Sequence, residues 1–149
     1  MSERFRKIID HDIQSAGLSC VGVMAGLENP HDPSYTHTIG LSPKWGFELL
    51  VVALHPHWAM EGFNKLYVDA KHDGILPKDG QRDYRLFRQP IMYRRARPDK
   101  VRDYVRRADF YYDRRVDVLQ VVMCDRMGRF EGEPGYDAAF LSRQPKLYA

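Results

Sequence analysis

The chain has 149 residues, of which 44% are hydrophobic and 29% charged, and its formal net charge is +3. This length and composition are typical of one globular domain, here residues 1–149, and exclude a disordered or low-complexity chain. No stretch approaches the roughly 18 apolar residues of a membrane span, and the first residues lack the apolar core of a secretory signal, so we expect a cytoplasmic protein without a membrane anchor.

The first third of the chain predicts one helix followed by two strands. Apolar residues recur at three- and four-residue steps over residues 3–16, which indicates an amphipathic helix with Ser2 as its N-cap and Gly17 as its end. Residues 18–25 then favour a strand, which is followed by a loop rich in glycine, asparagine and proline. In residues 35–41 the odd-numbered side chains share one face, as expected for a second strand.

The middle of the chain predicts a central strand and a long helix. In residues 48–54, every residue after Glu48 is apolar, at odd and even positions alike. This is the pattern of a strand that is covered on both faces. Because the connections are short, we expect the first three strands to form an antiparallel meander. Helical spacing returns from Pro56 and continues to Gly74.

The second half predicts two more strands with a helix between them. Residues 84–95 favour a fourth strand, which Pro90 places at a sheet edge, at a bulge or at a break. A third helix opens at Pro98, and residues 116–124 form a fifth strand before an irregular tail. This order predicts an α+β fold, with a single mixed, mostly antiparallel sheet of about five strands and about three helices packed on it.

Polar side chains inside apolar strands are the first candidates for a site. His37 shares a strand face with Tyr35 and Ile39, where its ring is either a satisfied core histidine or a hydrogen-bonding or acid–base group in a pocket. Glu48 opens the most apolar strand, so its carboxylate must be paired or lie at the rim. The amide of Gln120 must likewise find partners or face a cavity.

Metal binding has weaker support in the sequence. His55 and His57 have a metal-like spacing, and three further histidines could join them: His31, His37 and His72. No Cys-x-x-Cys or His-Glu-x-x-His pattern completes a site, so we assign no metal and no other cofactor. No standard catalytic signature is present either, and we assign no reaction.

A basic segment spans Arg82 to Arg115, where twelve arginines and lysines stand against five aspartates, a local excess of about seven positive charges. Arginine pairs such as Arg94-Arg95 alternate there with tyrosines and offer forks for phosphate and faces for base stacking. The same pattern describes many solvated protein surfaces. Nucleic acid is therefore not the partner that we expect.

Several segments occur together in an order that resembles a family of small bacterial and phage proteins of unknown function. That family has a Tyr-Thr-Ile-Gly-Leu strand, and the matching segments here are His37-Thr38-Ile39-Gly40-Leu41, Phe47-Glu48-Leu49-Leu50-Val51-Val52, Leu119-Gln120-Val121-Val122, Asp125, Gly128-Arg129-Phe130, Glu133-Pro134-Gly135-Tyr136 and Gln144-Pro145-Lys146-Leu147. The chain departs from the pattern at His37, where tyrosine is usual, at Phe47, where proline commonly stands, and at Glu131.

The resemblance implies that five residues recur as one set although none of them is an obvious core residue: Gly40, Glu48, Gln120, Asp125 and Gln144. If the second, third and fifth strands are neighbours, His37, Glu48, Gln120 and Asp125 are expected to line one cleft, with Arg94 and Arg95 supplied by the basic segment.

This cleft supports our leading interpretation, an intracellular domain that binds a small anionic or nucleotide-like ligand. One alternative is an interaction module, such as a phage or bacterial modulator of a host factor, that uses the Tyr/Arg-rich basic face. A second alternative is a metal-dependent hydrolase. Edge strands and exposed tyrosines also favour a homodimer.

Overall fold

A computed structural model of the chain describes residues 1–24, 26 and 31–149, with only the backbone of Ser142. The helices are α1 (Glu3–Ala16), α2 (Ser42–Trp45), α3 (Pro56–Asp73), α4 (Pro98–Val101) and α5 (Arg106–Tyr112), with 3-10 turns at Arg102–Tyr104 and Ala138–Ser142. The strands are β1 (Ser19–Val23), β2 (Tyr35–Ile39), β3 (Glu48–Val52), β4 (Arg82–Asp83), β5 (Ile91–Arg95) and β6 (Val118–Met123).

The strands form one six-stranded sheet in the order β1-β2-β3-β6-β5-β4. The β3–β6 pair is parallel and the other four pairs are antiparallel, so the predicted α+β class and the mixed, mostly antiparallel sheet are confirmed. The predicted meander of the first three strands is also present. The sixth strand is the two-residue β4, which pairs with β5 at the sheet edge.

The two long helices begin and end where their sequence signals predict. The hydroxyl of Ser2 accepts a hydrogen bond from the Phe5 N–H, and Gly17 ends α1 in the left-handed conformation at φ 89°. Pro56 occupies the first turn of α3, and Gly74 ends that helix at φ 73°. Both predicted helices are therefore confirmed.

The largest differences from the prediction lie in the second half of the chain. Only Ile91–Arg95 of the predicted strand 84–95 is a strand, and it starts directly after Pro90, which has no N–H for a ladder hydrogen bond. The helix that opens at Pro98 is split into α4, a 3-10 turn and α5. The predicted strand 18–25 stops at Val23, and its residue 25 lies outside the described part of the chain.

Helices cover both faces of the sheet. α3 packs on one face over Leu49, Val51 and Leu119, and α1, α4 and α5 pack on the other over Leu50 and Val118. All five residues of β3 are buried, which confirms it as the covered central strand. Among the helices that the structure describes, none combines the length and the apolar character that crossing a bilayer requires.

Gly40, at the end of β2, occupies a position that only glycine suits. Its φ is +114°, and a Cβ there would lie 2.9 Å from the Ile13 side chain and 3.2 Å from the Gly17 carbonyl oxygen. The close approach of α1 to the end of β2 therefore depends on the missing side chain.

We expect Gly40→Ala to lower the free energy of unfolding by roughly 3 kcal/mol or more, because it adds backbone strain and overpacks α1. Gly46→Ala is the control, since Gly46 also has a positive φ, 88°, but a Cβ at Gly46 would meet no atom within 4 Å. This control should cost only about 1 to 2 kcal/mol. Urea unfolding curves measure both, and equal losses would contradict the packing argument.

Candidate functional site

Three of the six predicted ligand-binding residues lie side by side on one face of the sheet. His37 stands opposite Leu50, Leu50 opposite Gln120, and Gln120 opposite Arg94. Residues that face each other across neighbouring strands share a sheet face. His37, Gln120 and Arg94 therefore form one row, on the face that α1, α4 and α5 cover.

His37 is a buried histidine with 2% of its surface exposed. Its Nδ1 donates to the Thr38 carbonyl oxygen at 3.1 Å. Burial, and to a smaller extent the nearby Arg107, lower the pKa of the ring to about 4 against the opposing effect of the Thr38 hydrogen bond. At neutral pH the ring is therefore uncharged.

Glu48 lies at the start of β3, with its carboxylate beneath the turn that joins β2 to β3. The carboxylate accepts four hydrogen bonds, two from side-chain hydroxyls and two from backbone N–H groups: Thr38 Oγ1 at 2.8 Å, Tyr112 Oη at 2.9 Å, Leu41 N at 3.2 Å and Ser42 N at 2.7 Å. Burial raises the pKa of Glu48, and these hydrogen bonds oppose that shift. All of its partners come from the chain itself, and they fix the turn.

Gln120 binds the C-terminal tail, which we define as residues 143–149. Its Nε2 donates to the Pro145 carbonyl at 3.0 Å, and its Oε1 accepts from the Leu147 N–H at 3.2 Å. Leu147 is buried in the core on the same sheet face. The guanidinium of Arg94 lies over the Tyr148 ring, 4.6 Å from its centroid. The tail therefore covers Gln120 and Arg94, two of the three residues of the row.

Asp125 and Arg95 lie away from this row. The Asp125 carboxylate accepts hydrogen bonds from the backbone N–H groups of Met127, Arg129 and Asp137, which organises the turn after β6. Burial opposes its ionisation, but these hydrogen bonds outweigh burial and lower the pKa of Asp125. Arg95 alternates to the opposite sheet face from Arg94. The structure thus does not bring the six residues into one open cleft, and their role in ligand binding stays a prediction.

Ion pairs in the folded chain neutralise part of the charge of the basic segment. At least six of its twelve basic residues form ion pairs in the described part of the chain: Arg82, Arg85, Arg94, Arg97, Arg102 and Arg106. Three of the partners lie outside the segment: Glu133, Asp79 and Asp73. A count along the sequence therefore overestimates the positive field of this region.

An open cleft of about 370 Å³ lies at the other end of β3 from Glu48, and we call it the β3–α3 cleft. Its lining comes from the residues before β2, the β3–α3 connection and the tail: His31, Pro33, Ser34, Ala53, Leu54, His55 and Arg143. Two histidines and one arginine thus meet there, and none of the lining residues in the described part of the chain carries a carboxylate. The sequence had indicated His31 and His55 only as metal ligands, and it gave no signal for Ser34 or Arg143.

The β3–α3 connection shapes the cleft. Ala53 has a φ of 69°, a left-handed conformation that is strained for a residue with a side chain, and its N–H donates to the Ser34 carbonyl. His55 is the N-cap of α3, and its Nδ1 accepts a hydrogen bond from the His57 N–H. The proton of the neutral His55 ring is therefore on Nε2, which can donate to a ligand.

The first turn of α3 has few backbone donors left for a ligand. Pro56 has no N–H, and the N–H groups of Trp58 and Ala59 both donate to the His55 carbonyl. The first turn of α3 therefore offers a ligand little backbone hydrogen bonding, and its helix dipole adds a favourable field for negative charge.

A larger depression of about 530 Å³ runs along the surface of α1, but it is lined by residues of that single helix: Glu3, Arg4, Lys7, Ile8 and His11. No second element fixes their arrangement, and a carboxylate is among them. The β3–α3 cleft, built from three separate segments, is the better candidate site.

A metal centre is not assembled from the residues described. No group of three or more histidine, cysteine, aspartate and glutamate side chains is placed to hold an ion within those ranges. His57 lies 4.0 Å from Glu61 on the exposed side of α3, whereas His55 lines the cleft. The alternative of a metal-dependent hydrolase has no ligand set in this part of the molecule.

The buried His37 leads to a prediction about acid stability. Its pKa lies below the ordinary 6.5, so its contribution to stability is complete above about pH 6.5 and is lost as the pH falls towards 4. Between about pH 7.5 and about pH 5, wild type should lose about 2 kcal/mol more unfolding free energy than His37→Leu. Urea unfolding at both pH values measures the difference. A parallel pH dependence of His37→Leu and wild type would contradict the assignment.

The family to which the chain belongs follows from its match to known domains. A domain family of unknown function, DUF4262, matches residues 12–137. No curated protein and no solved structure matches the chain. The matched span contains all six strands and both His31 and His55, and it ends before the 3-10 turn that precedes Arg143. Since the match covers most of its length, the chain belongs to the DUF4262 family of unknown function.

Proposed function

We propose that this chain binds a small anionic ligand in the β3–α3 cleft. The observation that carries the proposal is the meeting of His31, His55 and Arg143 around one cleft, with no carboxylate among the lining residues that the structure describes. A ligand with a carboxylate or phosphate group fits this chemistry. The proposal keeps the anionic ligand expected from the sequence and places it at different residues.

The lining side chains offer complementary donors. The guanidinium of Arg143 is a planar fork that can bind two oxygens of a carboxylate or phosphate at once. The Nε2–H of His55 can donate to a further oxygen, and Ser34 is another residue that lines the same cleft. No aromatic residue is among the described lining residues, so we propose recognition of the acidic group of the ligand rather than stacking on a base.

The position of the cleft in the fold supports the proposal. Ala53 directly follows β3, and Arg143 precedes Gln144, whose side chain binds Met123 at the end of β6. The cleft therefore lies at the carboxyl ends of the parallel pair β3–β6, the end of a sheet where α/β proteins commonly bind ligands. A volume of about 370 Å³ suits a small molecule.

The interaction-module alternative has less support. Arginines of the basic segment form hydrogen bonds within the fold. Arg102 donates to Asp109 at 3.0 Å, and Arg114 donates to Ser42 at 2.9 Å. These contacts hold their guanidinium groups against the chain itself. A macromolecular partner is therefore left as an outcome of the test below.

We also propose that the chain functions in the cytoplasm, as the sequence predicts. Cys20 and Cys124 are both unpaired thiols, which supports a reducing compartment. Burial raises the pKa of Cys20 to about 12, with the charges of Asp12 and Glu48 adding to the shift, so that thiol is unreactive.

Titration with inorganic phosphate tests the ligand proposal. Amide NMR shifts of the ¹⁵N-labelled chain, followed at constant ionic strength, should saturate and should cluster at Ala53, His55 and Arg143. Arg143→Gln should weaken the affinity about 10-fold or more, because a charged hydrogen-bond donor is lost. The matched control is Arg126→Gln, at an exposed position in the turn after β6, which should bind like wild type.

Two results would overturn the proposal. One is the absence of shifts in the cleft, and the other is a set of non-saturating shifts spread over the basic surface. The second result would favour a macromolecular partner on that surface. Equal affinities of Arg143→Gln and Arg126→Gln would also remove Arg143 from the site.

A further inference from the structure

We infer that Gln144 is a positioning residue that holds Arg143 at the wall of the β3–α3 cleft, an inference that rests on the proposed function. Gln144 is 2% exposed and does not line the cleft, so its action on a ligand would pass through its neighbour. Arg143 itself is exposed and is one of the residues that line the cleft.

The hydrogen bonds of Gln144 fix the tail to the end of β6. Its Oε1 accepts from the Met123 N–H at 2.6 Å, and its Nε2 donates to the Met123 carbonyl at 3.0 Å. The pairing of β3 with β6 ends at Val121, whereas Met123 still pairs with Ile91 of β5, so Met123 has no strand partner on its β3 side. The side chain of Gln144 thus takes the place that a longer β3 would occupy.

The backbone on the other side of Arg143 is also fixed. The N–H groups of Arg143 and Gln144 both donate to the Phe140 carbonyl, at 3.1 Å and 3.2 Å, and close the 3-10 turn. Arg143 is therefore held between a closed turn and a buried side-chain anchor. Only its side chain is left to move, which is the arrangement that a binding arginine requires.

The proposed binding site therefore combines residues from two parts of the chain. His31 and His55 lie inside the span 12–137 that matches the family, whereas Arg143 and Gln144 lie beyond it. The imidazoles come from the family domain, and the permanent positive charge comes from the tail. We infer that the tail determines how strongly the cleft binds an anion.

Gln120 offers a matched control for Gln144. Its side chain also makes two hydrogen bonds to the tail, to Pro145 and Leu147, and it is also fully buried. Gln120 does not adjoin Arg143. A variant of Gln120 therefore loosens the same tail to a similar degree without releasing the cleft arginine directly.

The experiment compares Gln144→Leu with Gln120→Leu by phosphate titration of the full chain, followed by amide NMR shifts. Gln144→Leu should weaken the phosphate affinity about 5- to 10-fold, close to the loss in Arg143→Gln, since a misplaced arginine loses most of its hydrogen bonds. Gln120→Leu should bind within about twofold of wild type. Melting curves establish that both variants are folded at the titration temperature.

Equal losses of affinity in the two variants would overturn the inference, because they would reflect general loosening of the tail. Wild-type affinity in Gln144→Leu would overturn it as well, and the proposed function would stand. If wild type itself binds no phosphate, the proposed function fails, and the ¹H–¹⁵N heteronuclear NOE of the Arg143 amide then decides the inference. A lower NOE in Gln144→Leu alone supports the positioning role, and an unchanged NOE contradicts it.

Discussion

The structure depends on one constraint, which is that polar groups inside fully covered strands must be satisfied by the chain. β3 and β6 lie at the centre of the sheet and are buried on both faces, yet they carry the carboxylate of Glu48 and the amide of Gln120. An unsatisfied buried polar group costs about 1 to 3 kcal/mol, and an unpaired buried charge costs more. Each side chain therefore binds backbone groups of a segment that has no regular partner: the β2–β3 turn for Glu48 and the tail for Gln120. The loops of this fold are attached to its core by buried side chains.

This constraint also determines where a ligand can bind. At the amino end of the parallel pair the Glu48 carboxylate binds the β2–β3 turn. His37 is buried, and the tail covers Gln120. The carboxyl end of the same pair stays open, and there Ala53, His55 and Arg143 surround a cleft. Gln144 connects the buried core with the cleft. Its side-chain amide binds the backbone of Met123 at the end of β6, and the residue directly follows Arg143, which lines the cleft. Stability and binding thus use neighbouring residues of one short tail.

The sequence predicts much of the fold because local signals decide it. Ser2, Gly17, Pro56 and Gly74 mark helix ends, and the apolar run after Glu48 marks a covered strand. The same reasoning shows that Glu48 and Gln120 need partners, but it cannot name them, because Tyr112 is 64 residues from Glu48 in sequence. The two-residue β4 and the split of the third helix are set by tertiary contacts rather than by periodicity. The meeting of His31, His55 and Arg143 depends on three distant segments, so spacing along the chain gives no sign of it.

The central claim is that the buried polar side chains anchor backbone and do not line an open cleft, and amide hydrogen exchange tests it most directly. The N–H groups of Ser42, Met123 and Leu147 donate to Glu48, Gln144 and Gln120, respectively. The account predicts that these three amides exchange as slowly as the amides of the central strands, through opening of the whole domain. Fast exchange at these positions in an otherwise protected sheet would contradict it, because Glu48, Gln120 and Gln144 would then be free to meet a ligand.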